Sequence, residues 1–277
     1  AIDAANGREK WVTQVNPGDV WRRGMQAYDF KTGTYRDQSI GDTPKIYTIE
    51  HSGQPRAAIG VGCKNGGFYI LDANDGTILN NTPVYTCPPT YPLNPTPDRR
   101  MLALPGILGG LQTGCAFDGQ SIFTNGIDAL RLGTQPTVID SFMAPFTAGR
   151  VTCISGDSHQ EQWRHERPKV HVSTQEVGDP IASGIAVANG VVYLMTTMSQ
   201  QLVVLDAATD ATLKQIEVGP LWSGPAVSRG HVYVGTGNVL FSSPDASLGF
   251  PYQPYGSIIS FGLPDDDRRE NSKDEKG

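Results

Sequence analysis

The sequence lacks the features that would direct a chain into a membrane or onto nucleic acid. It contains no apolar run of about 18 residues, the length that spans a bilayer. Its formal net charge is −6, and the acidic residues are concentrated near the C-terminus, so no basic surface is offered to phosphates. We therefore expect no membrane span and no nucleic-acid partner.

Cysteine is also scarce and does not follow a metal-binding spacing. The four cysteines, Cys63, Cys87, Cys115 and Cys153, form no CxxC pair. Free buried thiols and one or two disulfide bridges in an oxidising compartment are both compatible with this spacing. The chain opens at Ala1 within a strand-turn-strand pattern and without an initiator Met, so we expect further sequence, including any signal peptide, upstream.

Glycine and proline, by contrast, are abundant and indicate β structure. The chain has 32 Gly and 20 Pro but only 18% charged residues, a composition typical of many turns and little surface helix. A chain of 277 residues is long enough for one large all-β domain or for two average domains.

One short unit recurs along the chain. Residues 1–11 (AIDAANGREKW), 71–79 (LDANDGTIL) and 205–214 (LDAATDATLK) each join an apolar strand to a turn opened by Asp-Ala. The aspartates Asp3, Asp72 and Asp206 are predicted to accept hydrogen bonds within these turns. In the third copy Asp210 replaces the turn glycine, and aspartate tolerates positive φ better than most residues.

A second repeated pattern precedes two of these units. Residues 182–193 (ASGIAVANGVVY) match 223–233 (SGPAVSRGHVY), with tight turns at Asn189-Gly190 and Arg229-Gly230, and 114–123 (GCAFDGQSIF) is a weaker copy. Together the two patterns make a four-stranded unit, and repetition of such units is typical of a radial array. The sequence therefore predicts an all-β fold, a β-propeller built from four-stranded blades.

The repeats are unevenly spaced, so the blades are expected to carry insertions. We predict a partial propeller over residues 1–264, with insertions near 21–42, 83–105 and 155–169. The second insertion is rich in proline, which rules out a regular strand or helix across it. Residues 265–277 have nothing to bury and are predicted to be a disordered tail.

These repeats resemble those of the pyrroloquinoline quinone (PQQ) dehydrogenases, whose blades carry an ALDAxTGxxxW signature. The resemblance is greatest to the polyvinyl-alcohol-dehydrogenase-like group, and it rests on residues 2–21, 59–76, 104–119 and 181–263. It implies an eight-bladed propeller with PQQ over its central channel, of which this chain is the C-terminal half. It also implies an exported, periplasmic protein, calcium bound mostly by upstream residues, and a missing N-terminal half as a partner. Trp11 falls on the signature tryptophan, which docks between blades.

The resemblance further implies a set of cofactor-binding residues. Lys64 lies where these dehydrogenases place a cation against the quinone carbonyls, and Asn65 follows it in a turn next to the cofactor plane. Without the resemblance, Lys64 is a hairpin lysine pointing into water. Gln112 and Thr113 match a segment near the cofactor or simply a glycine-rich blade entry. Trp222 lines the channel mouth or packs between blades.

The catalytic base is the weakest match. In the resembling enzymes a carboxylate ahead of the lysine strand binds calcium and takes the alcohol proton, whereas Ser39 stands there in this chain. A serine cannot do this work, so Asp37 or Asp42 would have to substitute.

If active, the protein would oxidise an alcohol or polyol and pass electrons through PQQ to an acceptor. The alternative is a propeller without activity that serves as a binding scaffold. A third possibility is a sugar or polymer binder using Trp163, Trp222 and the loop around Tyr91. The histidines His159, His165 and His171 lack a metal-binding spacing and are predicted to be solvated loop residues.

Overall fold

The computed structural model describes residues 1–20, 28–29, 34–35, 38–84, 109–128, 148–172, 174–219, 223–237 and 256–262. Over these ranges the chain forms strands, turns and irregular segments. None of the described residues belongs to a helix that is long and apolar enough to cross a membrane.

The strands are short and follow one another along the chain. Their bounds are β1 Tyr28–Asp29, β2 Thr34–Tyr35, β3 Lys45–His51, β4 Gln54–Gly62, β5 Gly67–Asp72, β6 Ile78–Pro83, β7 Ala116–Phe117, β8 Ser121–Asp128, β9 Ala148–Ser155, β10 Glu161–Glu166, β11 Val170–Val172, β12 Gln175–Val177, β13 Ala186–Ala188, β14 Val191–Met195, β15 Gln201–Asp206, β16 Thr212–Glu217, β17 Ala226–Ser228, β18 His231–Thr236 and β19 Ser257–Gly262.

Four antiparallel sheets form the blades. Blade A is β3-β4-β5-β6, blade B is β7-β8-β9-β10, blade C is β13-β14-β15-β16, and blade D is β17-β18-β19 in its described part. Two further ribbons have two strands each: β1-β2 precedes blade A in the chain, and β11-β12 lies between blades B and C. Because each sheet follows chain order, every blade is a simple meander of hairpins, as the repeats predicted.

The predicted turns account for the meander. Asn189-Gly190 and Arg229-Gly230 have positive φ at both residues (50° and 73°, 49° and 74°), which is the type I′ pattern that matches strand twist. Asp210 has φ 60°, where the repeat has glycine in Gly7 and Gly76. The turn chemistry read from the sequence is therefore confirmed at these positions.

Residues 155–169, predicted as an insertion, contain a fourth copy of the Asp-Ala turn unit followed by the outer strand β10 of blade B. The His159 N–H donates to Ser155 O at 3.1 Å, the bond that Gly7 makes to Asp3 and Gly76 to Asp72. His159 has φ 59° at this turn position. The copy was missed because Ser155 and His159 replace the usual Asp and Gly.

The signature tryptophan docks as predicted, and it does so twice. Trp11 Nε1 donates to Ala73 O of blade A at 3.2 Å, and Trp163 Nε1 donates to Ala207 O of blade C at 3.0 Å. Each tryptophan thus closes on the Asp-Ala turn of the next blade. Trp163 is therefore a blade-packing residue, which removes it from the sugar-binding hypothesis.

The core lies between the sheets. Phe68 and Ile70 of blade A pack with Ile122 and Ile154 of blade B. A second cluster joins blade B to blade C through residues such as Phe123, Val192 and Leu205, and a third joins blade C to blade D. Facing sheets that bury side chains only against their neighbours are characteristic of a propeller. The fold is all-β, a propeller of four-stranded blades forming an incomplete ring, as predicted.

Several predictions fall at the margins of the described structure. The proline-rich span 83–105 beyond residue 84, the tail 265–277 and Cys87 lie outside the described residues, and the first span, 21–42, is described only in part. Cys63, Cys115 and Cys153 are free and buried. The prediction of solvated loop histidines was wrong for His159, which is buried because its turn, between β9 and β10 of blade B, packs on Thr82 of blade A. His165 and His171 lie in strands β10 and β11; His165 is half-buried and His171 is exposed.

Candidate functional site

Three chain segments meet at one end of blade A, the end at which its inner strand β3 begins; we call it the inner end. Antiparallel order brings the β4–β5 turn to the same end as the entries into β3 and β7. The Lys64 N–H donates to Ser39 O at 3.0 Å, and the Leu111 N–H donates to Cys63 O at 3.1 Å. We call residues 38–43, 62–66 and 109–115 the inner-end cluster; it contains most of the site residues predicted from the sequence.

Lys64 lies at the centre of this cluster and is half-buried. The main chain of the blade B entry packs directly on it: a Cβ added to Gly110 would lie 2.1 Å from Lys64 O. Gly110 has φ 78°, a conformation that favours glycine. The lysine is therefore carried on a main chain held from both sides, by Ser39 and by the glycine-rich entry.

Asn65 and Thr113 use their polar groups within the protein. Asn65 Nδ2 donates to Asn16 Oδ1 at 2.9 Å and to Tyr69 Oη at 2.7 Å, while its oxygen accepts from the Gly67 N–H at 2.9 Å. Thr113 Oγ1 donates to Ser183 O at 2.7 Å and accepts from Asn125 Nδ2 at 2.6 Å. Both residues are engaged in packing the turn and the blades.

Gln112 is half-buried beside them, and its Nε2 donates to Gly109 O at 2.9 Å. Asn65, Thr113 and the amide nitrogen of Gln112 therefore all make hydrogen bonds inside the protein. Lys64 supplies the positive charge that a bound quinone would need, and a cofactor contact of Lys64 or Gln112 stays a prediction.

Asp42 is the buried carboxylate of the cluster, with 7% of its surface exposed. Its Oδ1 accepts from the N–H groups of Thr43 (2.6 Å) and Cys115 (2.7 Å), and its Oδ2 accepts from the Gly62 N–H (2.8 Å). Burial raises the pKa of Asp42, while these hydrogen bonds act in the opposite direction without cancelling the effect.

The position of Asp42 recurs in every blade. It lies three residues before the first paired residue of the inner strand, as do Thr113, Ser183 and Ser223. Ser183 Oγ accepts from Met195 N and donates to Met195 O, and Ser223 Oγ donates to Gly235 O. Each of these residues bonds the second strand of its own blade, and Asp42 does the same through Gly62.

The two thiols of the cluster, Cys63 and Cys115, are buried and are not reactive groups. Cys63 Sγ donates to Gln38 O at 3.1 Å and accepts from Asn16 Nδ2 at 3.1 Å. Burial raises the pKa of Cys63 and that of Cys115, so both thiols stay protonated near neutral pH. They act as small buried side chains.

Two predicted site residues, Asp37 and Trp222, lie outside the described residues, as does Tyr91. Within the described ranges, no group of three or more His, Cys, Asp or Glu side chains is arranged to hold a metal ion. Sequence reasoning missed Asn125, a fully buried amide whose Nδ2 also donates to Ile181 O and Ser183 O. No sequence signal marks it as a buried amide, because Asn125-Gly126 is typical of a turn rather than of a buried strand.

The fold is a β-propeller, and its repeats are similar to PQQ repeats. A repeat-family model, PQQ_2, described as outer membrane protein assembly factor BamB, matches residues 140–249. No curated protein matches the chain.

Solved structures of alcohol dehydrogenases share this fold. A europium-containing methanol dehydrogenase superposes with a TM-score of 0.55 and 16% identity, covering 80% of this chain and 47% of that one. A quinohemoprotein alcohol dehydrogenase from Pseudomonas putida HK5 gives 0.54 and 15%, covering 80% and 38%. The corresponding enzyme from Comamonas testosteroni gives 0.55 and 17%, covering 79% and 37%. The chain thus spans less than half the length of these proteins.

Proposed function

We propose that this chain is the C-terminal part of an exported quinoprotein of the PQQ-dependent alcohol dehydrogenase type. The observation that carries the proposal is the half-buried Lys64 on a turn clamped between two blade entries at the inner end of the propeller. The PQQ-type repeats and the fold shared with alcohol dehydrogenases support it. The polyvinyl-alcohol-dehydrogenase-like resemblance would make an alcohol or polyol the substrate.

Bound PQQ would supply the redox chemistry by accepting two electrons from the alcohol. Lys64 would hold the cofactor by placing its ammonium group against the quinone oxygens, where negative charge builds up. Gln112 would add an amide contact at the same end. Because the Lys64 main chain is held by Ser39 and Gly110, the point from which the lysine side chain extends would be fixed before the cofactor binds, which reduces the cost of ordering the turn on binding.

The proton acceptor is proposed to be Asp37 or Asp42, since Ser39 cannot take the proton. Asp42 has the raised pKa expected of a base in a dry site, but both its oxygens already accept main-chain hydrogen bonds. Calcium is assigned to residues upstream, in the missing part of the propeller. That part would also cover the face of blade A on which Ile46 is 75% exposed.

The first prediction concerns Lys64 in the full-length protein. Replacing Lys64 by alanine is expected to weaken PQQ binding by about 10- to 100-fold, the value of one charge-assisted hydrogen bond. Lys64→Arg should retain part of the affinity because the charge remains. Tryptophan quenching during a PQQ titration in the presence of calcium gives the affinity.

Lys214→Ala, which removes an exposed lysine of β16, is the matched control and should leave the affinity unchanged. Equal affinities for the wild type and Lys64→Ala would show that Lys64 is not a cofactor residue.

A scaffold without activity is the second candidate, and one specific observation favours it. Three of the predicted site residues use their polar groups for hydrogen bonds inside the protein: Asp42, Asn65 and Thr113. Such a protein would bind partners through its channel mouth and loops and would need no quinone. A full-length protein that binds no PQQ at millimolar calcium would favour the scaffold over the dehydrogenase.

A further inference from the structure

We infer that Asp42 is a positioning residue that locks the lysine-bearing turn of blade A to the entry of blade B. The inference rests on the proposed function only for its binding readout. It assigns Asp42 a structural task at the site, distinct from accepting a proton.

The carboxylate joins two blades. Its Oδ2 accepts from the Gly62 N–H, the last residue of β4 before the turn that carries Lys64, and its Oδ1 accepts from the Cys115 N–H at the entry of blade B. Between these two bonds the turn touches blade B again, through Cys63 O and the Leu111 N–H. Removal of the carboxylate would free both the turn and the blade B entry.

The surroundings are shaped to fit the carboxylate. A Cβ added to Gly62 would lie 3.0 Å from Asp42 Oδ2 and 2.6 Å from Leu111 Cβ, and a Cβ on Gly41 would lie 2.8 Å from Gln112 Cα. The three segments therefore pack closely, with no room for a side chain at Gly41 or Gly62. A buried acceptor in such a place leaves main-chain donors without a partner when it is deleted.

The other blades show what a smaller residue can do at this position. The hydroxyl groups of Ser183 and Ser223 bond within their own blades, at Met195, Gly184 and Gly235. Thr113 of blade B also reaches the next blade, but it does so as a donor, to Ser183 O. A carboxylate has two oxygens and more acceptor sites than a hydroxyl. Asp42 can thus accept main-chain N–H groups from two blades at once, from Gly62 of its own blade through Oδ2 and from Cys115 of blade B through Oδ1, next to the turn that carries Lys64.

The test compares Asp42→Ala and Asp42→Ser by amide hydrogen exchange in the full-length protein without cofactor. In Asp42→Ala the Gly62 and Cys115 amides should exchange about tenfold faster or more, because both lose their acceptor. In Asp42→Ser the Gly62 amide should regain protection, as Met195 is held by Ser183, whereas the Cys115 amide should not. Asp206→Ala, which removes a carboxylate with three hydrogen bonds in an exposed turn, is the control and should leave both amides unchanged.

A double-mutant cycle then tests whether the Asp42 hydrogen bonds affect PQQ binding through Lys64. Asp42→Ala should weaken PQQ affinity by about tenfold in the wild-type background and have little further effect in Lys64→Ala, because it acts through Lys64. Additive losses, or a Cys115 amide that stays protected in Asp42→Ala, would overturn the inference. Loss of oxidation in Asp42→Ser with both amides protected would instead identify a base. If the wild type binds no PQQ, the proposed function fails while the exchange data still decide the role of Asp42.

Discussion

Replacing Asp179 by alanine is expected to lower the free energy of unfolding by about 3–5 kcal/mol, because it leaves a buried charge without its partner. Asp179 is fully buried at the entry of blade C and accepts from Arg167, whose side chain is itself only 2% exposed. The same carboxylate accepts from the Met198 and Ser199 N–H groups and from Ser199 Oγ (2.7 Å). The alanine variant would therefore lose the ion pair and the acceptor of a β14–β15 turn together.

Urea denaturation followed by tryptophan fluorescence measures the effect. The matched control is Glu176→Ala, which breaks an exposed ion pair with Lys169 at 3.7 Å, and a loss below about 1 kcal/mol is expected there. Replacing Asp179 and Arg167 together by apolar residues should recover much of the loss. A single variant Asp179→Ala as stable as Glu176→Ala would contradict the assignment of a buried, paired charge.

Replacing Gly110 by alanine is expected to cost about 2–5 kcal/mol, the sum of a strained left-handed conformation and a steric overlap. The new Cβ would meet Lys64 O at 2.1 Å and Lys64 Cα at 2.5 Å, so the lysine turn or the blade B entry must move. We therefore expect Gly110→Ala to weaken PQQ binding as well as folding, although residue 110 contributes no side chain to the site.

The two costs can be separated within this chain. Gly190 has nearly the same φ, 73°, and a Cβ added there meets nothing within 4 Å. Gly190→Ala should thus show the conformational cost alone, about 1–2 kcal/mol. Thermal unfolding of the two variants, with PQQ titration of each folded protein, makes the comparison. Equal stability losses would show that the Gly110 main chain has room to yield.

The architecture could be predicted because its signals are local. A strand ending in Asp-Ala, a turn residue at positive φ and a second strand are written in about ten consecutive residues, and the hairpin follows from them. The same rule explains the one miss in blade B. Ser155 and His159 perform the work of Asp and Gly, and the shared spacing Glu9-Trp11 and Glu161-Trp163 was the remaining signal of that copy.

The inner-end cluster could be predicted only in part, because its contacts join residues far apart in the chain. Lys64 and Gln112 were identified by resemblance, Asp42 was named with Asp37 as a local substitute for Ser39, and the first three of these residues do lie together. What their side chains contact could not be read from the sequence: the Asp42 bond to Cys115 spans 73 positions, and the Asn125 bond to Ser183 spans 58. Burial and geometry, which decide whether a polar group faces a ligand or a neighbouring blade, exist only after folding.

The contacts between blades also bear on how the chain folds during synthesis. Several polar groups form hydrogen bonds with residues that are translated later, in the next blade. The pairs are Trp11 with Ala73, Asp42 with Cys115, and Trp163 with Ala207. A nascent blade is therefore incomplete until the next one emerges, at ribosomal rates of about 5–20 residues per second. These hydrogen bonds can therefore form only in the order in which the blades are synthesised. The most recently synthesised blade still has unpaired polar groups and an uncovered face, and we expect chaperones to act there.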